Sequence, residues 1–138
     1  MKNVTKTLLV VLMLGAIALA GCSFDSSTSE ATFETISPDD AAAVIAEDTD
    51  AVILDIRTPD EFNAGIIKDA INIDYYETSF SDDLDALDKD AHYVVYCNSG
   101  NRSGDAMSLF EDLGFTNITE IDGGIQAWYN SGLPVVFP

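Results

Sequence analysis

Short apolar runs and segments with helical spacing alternate along the chain from residue 33 onward. A continuous apolar run is typical of a strand that is covered on both faces. Two such runs, at residues 51–56 and 92–97, are candidate buried strands, and the segments 70–73 and 117–122 are further strand candidates. The chain between them is long enough for crossover connections, as a sheet of parallel strands requires.

Helix signals lie between these strands. Ser37 is a candidate N-cap with Pro38 at the first helical position, and Thr58 forms a capping box with Glu61. A weaker helix is predicted over residues 82–87, and stronger ones over 103–114 and 123–132, each closed by a glycine. This alternation predicts an α/β fold, a single domain with a mostly parallel sheet flanked by helices on both faces.

The first 21 residues are excluded from this fold. MKNVTK carries two lysines, and the thirteen apolar residues that follow describe an export signal, since a membrane span needs about 20. The signal ends in LAGC, residues 19–22, which resembles the lipobox of bacterial lipoproteins. That resemblance implies acylation of Cys22, which becomes the mature N-terminus and anchors the chain to a membrane. The alternative is a plain secretory signal followed by a chance cysteine.

The serine- and threonine-rich segment after Cys22 is typical of a flexible tether. The predicted organisation is therefore a lipoprotein signal peptide at 1–21, a lipidated cysteine and tether at 22–32, and the folded domain at 33–138. We expect the protein at the cell membrane, held by lipid on the extracytoplasmic face. The sequence specifies no oligomeric state.

The charge of the chain is strongly acidic. Without Lys2 and Lys6, the 6 basic residues fall to 4 against 24 acidic ones, a net charge of −20. Nucleic acid is therefore excluded as an electrostatic partner. An anionic substrate would need a local positive potential to overcome this background.

Cys97 ends a predicted strand and precedes a loop that contains Gly100 and Arg102. If lipid takes Cys22, Cys97 is a free thiol outside the cytoplasm. The amides of residues 98–102, the start of the next helix and the arginine should lower the thiol pKa from about 8.5 and give a thiolate open to solvent. Such a cradle would accept an anion or a terminal sulfur.

The loop CNSGNRS, residues 97–103, resembles the active-site loop of rhodaneses, the sulfurtransferases. Residues 52–67, 70–73 and 118–128 resemble further segments of that family, in the same order. The resemblance implies that the Cys97 thiolate takes sulfane sulfur from thiosulfate, polysulfide or a persulfide and holds it as a Cys97 persulfide. The persulfide then passes that sulfur to a thiol or cyanide. Cys97 and Arg102 are then catalytic, no metal or organic cofactor is expected, and the persulfide cradle comprises Asn98, Ser99, Gly100, Asn101 and Ser103.

Other functions are weighed against this one. Phosphatases of related design place five residues between cysteine and arginine, whereas four separate Cys97 from Arg102 here. An inert, buried Cys97 is the simplest alternative. The alternative from another class is a non-catalytic, membrane-tethered module that binds an anion or persulfide or senses redox state.

The remaining candidates are assigned supporting or structural roles. Asp55 and Arg57 are expected to support the loop, with Arg57 paired to Glu61 or a neighbouring carboxylate. His92 starts its strand and is expected to face away from Cys97. Trp128 is expected in the core, residues 122–124 in a tight turn near the pocket, and Tyr75 and Tyr76 are candidates for the pocket mouth.

Overall fold

The computed structural model describes residues 30–138. The predicted signal peptide, Cys22 and nearly all of the tether lie outside these residues. Within them, five strands and five helices alternate along the chain. The strands are β1 (Thr32–Ile36), β2 (Val52–Asp55), β3 (Ile71–Asn72), β4 (His92–Tyr96) and β5 (Asn117–Ile121). The helices are α1 (Pro38–Glu47), α2 (Pro59–Asn63), α3 (Phe80–Asp85), α4 (Asn101–Asp112) and α5 (Gly124–Asn130).

All strand pairs in the sheet are parallel, in the order β1-β5-β4-β2-β3. The central strands β4 and β5 are buried along most of their length. Their apolar residues pack on both sides, which confirms the prediction of a parallel sheet flanked by helices on both faces. Because all strands point the same way, their carboxyl ends meet at one edge, where ligands bind in such folds.

The two faces of the sheet have separate cores. On one face, Phe80 and Leu84 of α3 and Phe110 of α4 pack around Val95 and Cys97. On the other face, α1 and α5 and the loop after α2 supply the packing residues Ala41, Ile125, Trp128, Ile66 and Ile67. Trp128 is 4% exposed, which confirms its predicted place in the core.

The predicted helix caps are present. The Ser37 side chain accepts from the amide of Asp40 at 3.2 Å at the start of α1. Thr58 and Glu61 form the reciprocal capping box, with the Glu61 amide donating to Thr58 Oγ1 and the Thr58 amide to Glu61 Oε2. These caps satisfy orphan amides at the helix starts.

Three features differ from the prediction. Helix α3 lies at Phe80–Asp85, two residues before the predicted 82–87. Strand β1 was not expected, and it begins at Thr32, one residue before the predicted start of the domain. Its sequence TFETI is mostly exposed, because it forms an edge of the sheet beside β5. Helix α4 begins at Asn101 rather than near Ser103, since Gly100 takes a left-handed conformation and serves as the N-cap.

None of the helices in residues 30–138 is long and apolar enough to cross a membrane.

Candidate active site

The thiol of Cys97 lies where β4 meets the first turn of α4. The Gly100 amide donates to Cys97 Sγ at 3.1 Å, and the Ser103 hydroxyl lies 3.4 Å from the same sulfur. Both donors belong to the turn that starts α4, so the unsatisfied end of the helix points at the sulfur. This arrangement favours a negative charge on Sγ.

The pKa of Cys97 is lowered from the usual value of a thiol. Burial acts against this shift and is the largest single influence, because it penalises the charged sulfur. Hydrogen bonds from the Ser103 hydroxyl and from the amides of Ser103, Ser99 and Gly100 outweigh burial. The Cys97 thiol therefore ionises more readily than an ordinary thiol, because of local hydrogen bonds to its sulfur.

The start of α5 holds the cysteine loop from behind. The Ile125 amide donates to the carbonyl of Cys97 at 2.9 Å, and the Gln126 amide donates to the carbonyl of Asn98 at 3.1 Å. Gly123 and Gly124, with φ of 70° and 59°, make the turn that brings these amides close. The predicted backbone role of residues 122–124 near the pocket is confirmed.

Cys97 is enclosed rather than open. The whole residue is 0% exposed, so the expectation of a thiolate in contact with solvent is wrong for this conformation. The cause is the packing of α3 and α4 over this face of the sheet, which places Cys97 in the same core as Phe110. A cavity of about 570 Å³ lies beside Arg57 and Gly65, but Cys97 does not line it.

Arg102 lies in the first turn of α4, next to Ser103, and is paired with a carboxylate from α2. Its guanidinium makes two hydrogen bonds to Glu61, of 2.9 Å and 2.7 Å, and stands 5.4 Å from the ring centroid of Tyr76. Hydrogen bonding from Arg102 lowers the pKa of Glu61 to about 2, although burial acts in the opposite direction. The charge of Arg102 is therefore largely neutralised by Glu61 in this conformation.

Tyr76 is 67% exposed and contacts Tyr75 edge to face, with ring centroids 5.4 Å apart. Tyr75 packs against Phe80 with ring centroids 5.2 Å apart, so Tyr76 is the exposed member of the pair. A place for the two tyrosines at a pocket mouth stays a prediction.

Asp55 and Arg57 form a buried pair beneath the loop. Arg57 Nη2 contacts Asp55 Oδ2 at 2.6 Å and also donates to the carbonyl of Gly65 at 2.7 Å. The two residues are 0% and 4% exposed. The sequence predicted that Arg57 pairs with Glu61 or with a neighbouring carboxylate. The partner is the neighbouring Asp55, and Glu61 pairs with Arg102 instead. The pair fixes the connection after β2 and does not contact the thiol.

The other predicted cradle residues divide by exposure. Ser99 and Asn101 are exposed, and Ser99 contributes through its amide. Ser103 is 0% exposed and contributes its hydroxyl. His92 bonds to Asp48 and Thr119 at the opposite end of the sheet, as expected. No group of three or more histidine, cysteine or acidic side chains within residues 30–138 could hold a metal ion.

Sequence reasoning missed Glu120. This carboxylate is 5% exposed on β5, and its Oε1 lies 2.6 Å from the Ser103 hydroxyl, which also reaches Cys97. One signal was available: in NITEI, Ile118 and Glu120 share a face of a strand that is covered on both sides. An acid at such a position needs buried partners.

The comparisons with known proteins agree with this fold and site. The family model described as the rhodanese-like domain matches residues 37–131. This is more than half of the 138-residue chain, and the chain therefore belongs to the rhodanese-like domain family.

Relatives of this chain include named sulfurtransferases. A sulfurtransferase of Allochromatium vinosum is 35% identical over 94 residues, covering 68% of this chain and 86% of the relative. The thiosulfate sulfurtransferase GlpE of Pseudomonas entomophila is 40% identical over 96 residues, covering 70% and 84%. The crystal structure of a rhodanese-related protein from Thermoplasma volcanium matches with a TM-score of 0.68 at 33% identity, covering 77% of this chain and all of that one. These similarities support sulfurtransferase activity in general terms.

Proposed function

We propose that the protein is a rhodanese-type sulfurtransferase that carries sulfane sulfur as a persulfide on Cys97. The observation that carries this proposal is the convergence of the Gly100 amide and the Ser103 hydroxyl on one sulfur atom. The donor is thiosulfate, a polysulfide or a small persulfide, and the acceptor is a thiol or cyanide. The similarity to relatives named thiosulfate sulfurtransferase supports the choice of donor.

The reaction takes two displacements at sulfur. The Cys97 thiolate attacks the outer sulfur of thiosulfate, the S–S bond of thiosulfate breaks, and sulfite leaves with the bonding electron pair. The new terminal sulfur carries the negative charge, which the loop amides stabilise. Cyanide or a thiolate then attacks that terminal sulfur, and the Cys97 thiolate leaves, stabilised by the same donors.

Because Cys97 is enclosed, the protein must open before a donor can reach it. We propose that it opens at Arg102, Glu61 and Tyr76, where the side chain of Glu61 is 32% exposed. Exchange of Glu61 for the donor anion would turn the Arg102 guanidinium toward the substrate. We therefore propose that Arg102 recruits anionic donors in competition with Glu61.

The direct test of the proposed function is the mass of the purified protein after exposure to thiosulfate. One added sulfur atom on Cys97, removed by cyanide with release of thiocyanate, is the expected result. A protein that gains no sulfur from thiosulfate, polysulfide or a small persulfide would refute the proposal.

The enclosed thiol also favours a second candidate, a non-catalytic module whose Cys97 is modified once and sensed by a membrane partner. Burial slows repeated access, which suits a sensor more than a fast enzyme. Thiocyanate formed in many-fold excess over protein supports the enzyme. One equivalent per protein, with no further turnover, supports the module.

The role of Arg102 leads to a prediction on donor choice. Arg102→Ala should reduce kcat/KM for thiosulfate about tenfold and affect a neutral persulfide much less, because the variant removes a charge and keeps the amides. Steady-state kinetics with both donors measure this difference. Equal losses would contradict a role in binding anions.

Glu61→Gln is the complementary variant, because it leaves Arg102 in place and removes the competing charge. We expect kcat/KM for thiosulfate to rise a few-fold. A fall as large as that of Arg102→Ala would show that Glu61 assists the reaction instead of competing with the donor.

We also propose that the protein is a lipoprotein anchored through Cys22 on the extracytoplasmic face of a membrane. Support comes from LAGC at residues 19–22, after an apolar run with basic residues before it. Cys22→Ser should move the protein out of the membrane fraction or block its processing. The sulfur-transfer activity of the variant protein should be unchanged, and unaltered membrane association would contradict the anchor.

A further inference from the structure

The Ser103 hydroxyl lies near three possible hydrogen-bond acceptors but has one proton to donate. Its Oγ lies 2.6 Å from Glu120 Oε1, 3.4 Å from Cys97 Sγ and 3.3 Å from the carbonyl oxygen of Gly100. A hydroxyl donates one hydrogen bond and accepts up to two. If Ser103 donates to Glu120, it can accept from a Cys97 thiol. If Glu120 is protonated and donates to Ser103, the hydroxyl is free to donate to a Cys97 thiolate.

Glu120 has hydroxyl partners on both oxygens. Its Oε2 lies 2.8 Å from the Thr35 hydroxyl of β1, and its Oε1 faces Ser103 of α4. Each protonation state of Glu120 is satisfied by this pair, because a neutral carboxyl donates from Oε1 and accepts from Thr35 at Oε2. Within residues 30–138, no lysine, arginine or histidine lies within ion-pair distance of Glu120.

The groups around Glu120 come from three elements. Strand β1 supplies the Thr35 hydroxyl, β4 leads to the Cys97 thiol, and α4 supplies Ser103 and the backbone at Gly104. Arg102, the charged residue of α4 next to Ser103, is paired with Glu61. Of the groups that face Glu120 from these elements, the Cys97 thiol is the other ionisable one, since Thr35 and Ser103 contribute hydroxyls.

Two negative charges on this cluster would be costly. An ionised Glu120 and a Cys97 thiolate would share one hydroxyl in a buried region, and like charges at such distances disfavour double ionisation. A single proton shared between the two groups keeps one negative charge in the cluster. Cys97 is 0% exposed, so in this conformation Glu120, reached through Ser103, is a proton acceptor that the thiol can use without contact with solvent.

We propose that Glu120 is the proton acceptor of the Cys97 thiol, acting through the Ser103 hydroxyl. The thiol proton passes to Ser103 Oγ, and the hydroxyl proton of Ser103 passes to Glu120 Oε1. The products are a Cys97 thiolate, an intact hydroxyl and a neutral Glu120, so the net charge does not change. Glu120 is a positioning residue, because it never contacts the donor. Its use in sulfur transfer rests on the proposed function, whereas the proton exchange itself does not.

The test is a pH titration of the thiolate by its ultraviolet absorbance, without any sulfur donor, with the Cys97→Ser protein as the blank. Coupled groups that share a proton titrate in two steps that belong to the pair. We expect the wild-type thiolate to appear in two steps, and Glu120→Gln to show one step, since glutamine keeps the hydrogen bond to Ser103 but accepts no proton. Ser103→Ala, which disconnects the two groups, should also lose a step.

Glu34→Gln is the matched control. Glu34 lies on β1 next to Thr35, and its carboxylate accepts from Thr119 rather than from Ser103. The two-step titration should survive this change. A wild-type thiolate that titrates in one step overturns the proposal. This holds if the pH midpoint of that step is unchanged in Glu120→Gln, and also if the midpoint falls because the repulsion between two negative charges is removed.

The outcomes also separate this inference from the proposed function. Two-step titration in a protein that gains no sulfur would keep the proton exchange and refute the sulfurtransferase. One-step titration in a protein that forms the persulfide would refute the proton exchange and keep the sulfurtransferase.

Discussion

Cys97→Ser is expected to abolish the formation of thiocyanate from thiosulfate and cyanide. The loss should be about 10⁴-fold or more, the order found when an enzyme loses its nucleophile. A serine hydroxyl is not ionised near neutral pH and cannot form the S–S bond of a persulfide. The fold should survive, because the Gly100 amide that now donates to Cys97 Sγ can donate to a serine oxygen instead.

The control for this variant is Cys22→Ser, which removes the other cysteine of the chain. Its turnover should match that of the wild type. Thermal unfolding of both variants checks that the fold is retained. Residual turnover in Cys97→Ser, or loss of turnover in Cys22→Ser alone, would mean that sulfur is not carried on Cys97.

Features set by neighbouring residues could be predicted from the sequence. The capping box of Thr58 and Glu61 depends on residues three apart, and the structure has it as expected. The cysteine loop is also local, because Gly100 and Ser103 lie within six residues of Cys97. For the same reason, a perturbed thiol at the start of α4 could be expected from the sequence.

Features that depend on residues far apart in the chain could not be predicted from the sequence. Arg102 and Glu61 are 41 positions apart, and Ser103 and Glu120 are 17 apart. No local pattern pairs them, since only the packing of α4 against α2 and β5 brings them together. The packing of α3 and α4 encloses Cys97, which the sequence suggested would be open.

Strand β1 shows the limit of hydrophobic patterning. Its residues are mostly polar and exposed, so it has no buried face to mark it as a strand. Its five-residue parallel pairing with β5, from Thr32 with Asn117 to Ile36 with Ile121, depends on backbone hydrogen bonds to a strand more than 80 positions away. β1 also places Thr35 against Glu120, so an element that patterning missed completes the surroundings of this buried carboxylate.

Gly124→Ala is expected to destabilise the protein by about 2–6 kcal/mol, combining backbone strain and overpacking of about 1–3 kcal/mol each. Gly124 has φ of 59°, and a Cβ there would meet the Cys97 carbonyl oxygen and lie 2.8 Å from the carbonyl carbon of Asn98. These are backbone atoms of the cysteine loop, which cannot rotate away as a side chain can. Relief requires α5 to move off the loop, at the expense of the bond from the Ile125 amide to Cys97.

Gly132→Ala is the control that has backbone strain without a steric clash of the new Cβ. Gly132 has a similar φ of 78°, but a Cβ there would meet nothing within 4 Å. It should lose only about 1 kcal/mol, the cost of the left-handed conformation. Urea unfolding of both variants measures the difference, and thiocyanate formation by the folded fraction shows whether the thiol is still aligned. Equal losses of stability in the two variants would mean that the packing of α5 against the cysteine loop does not constrain the site.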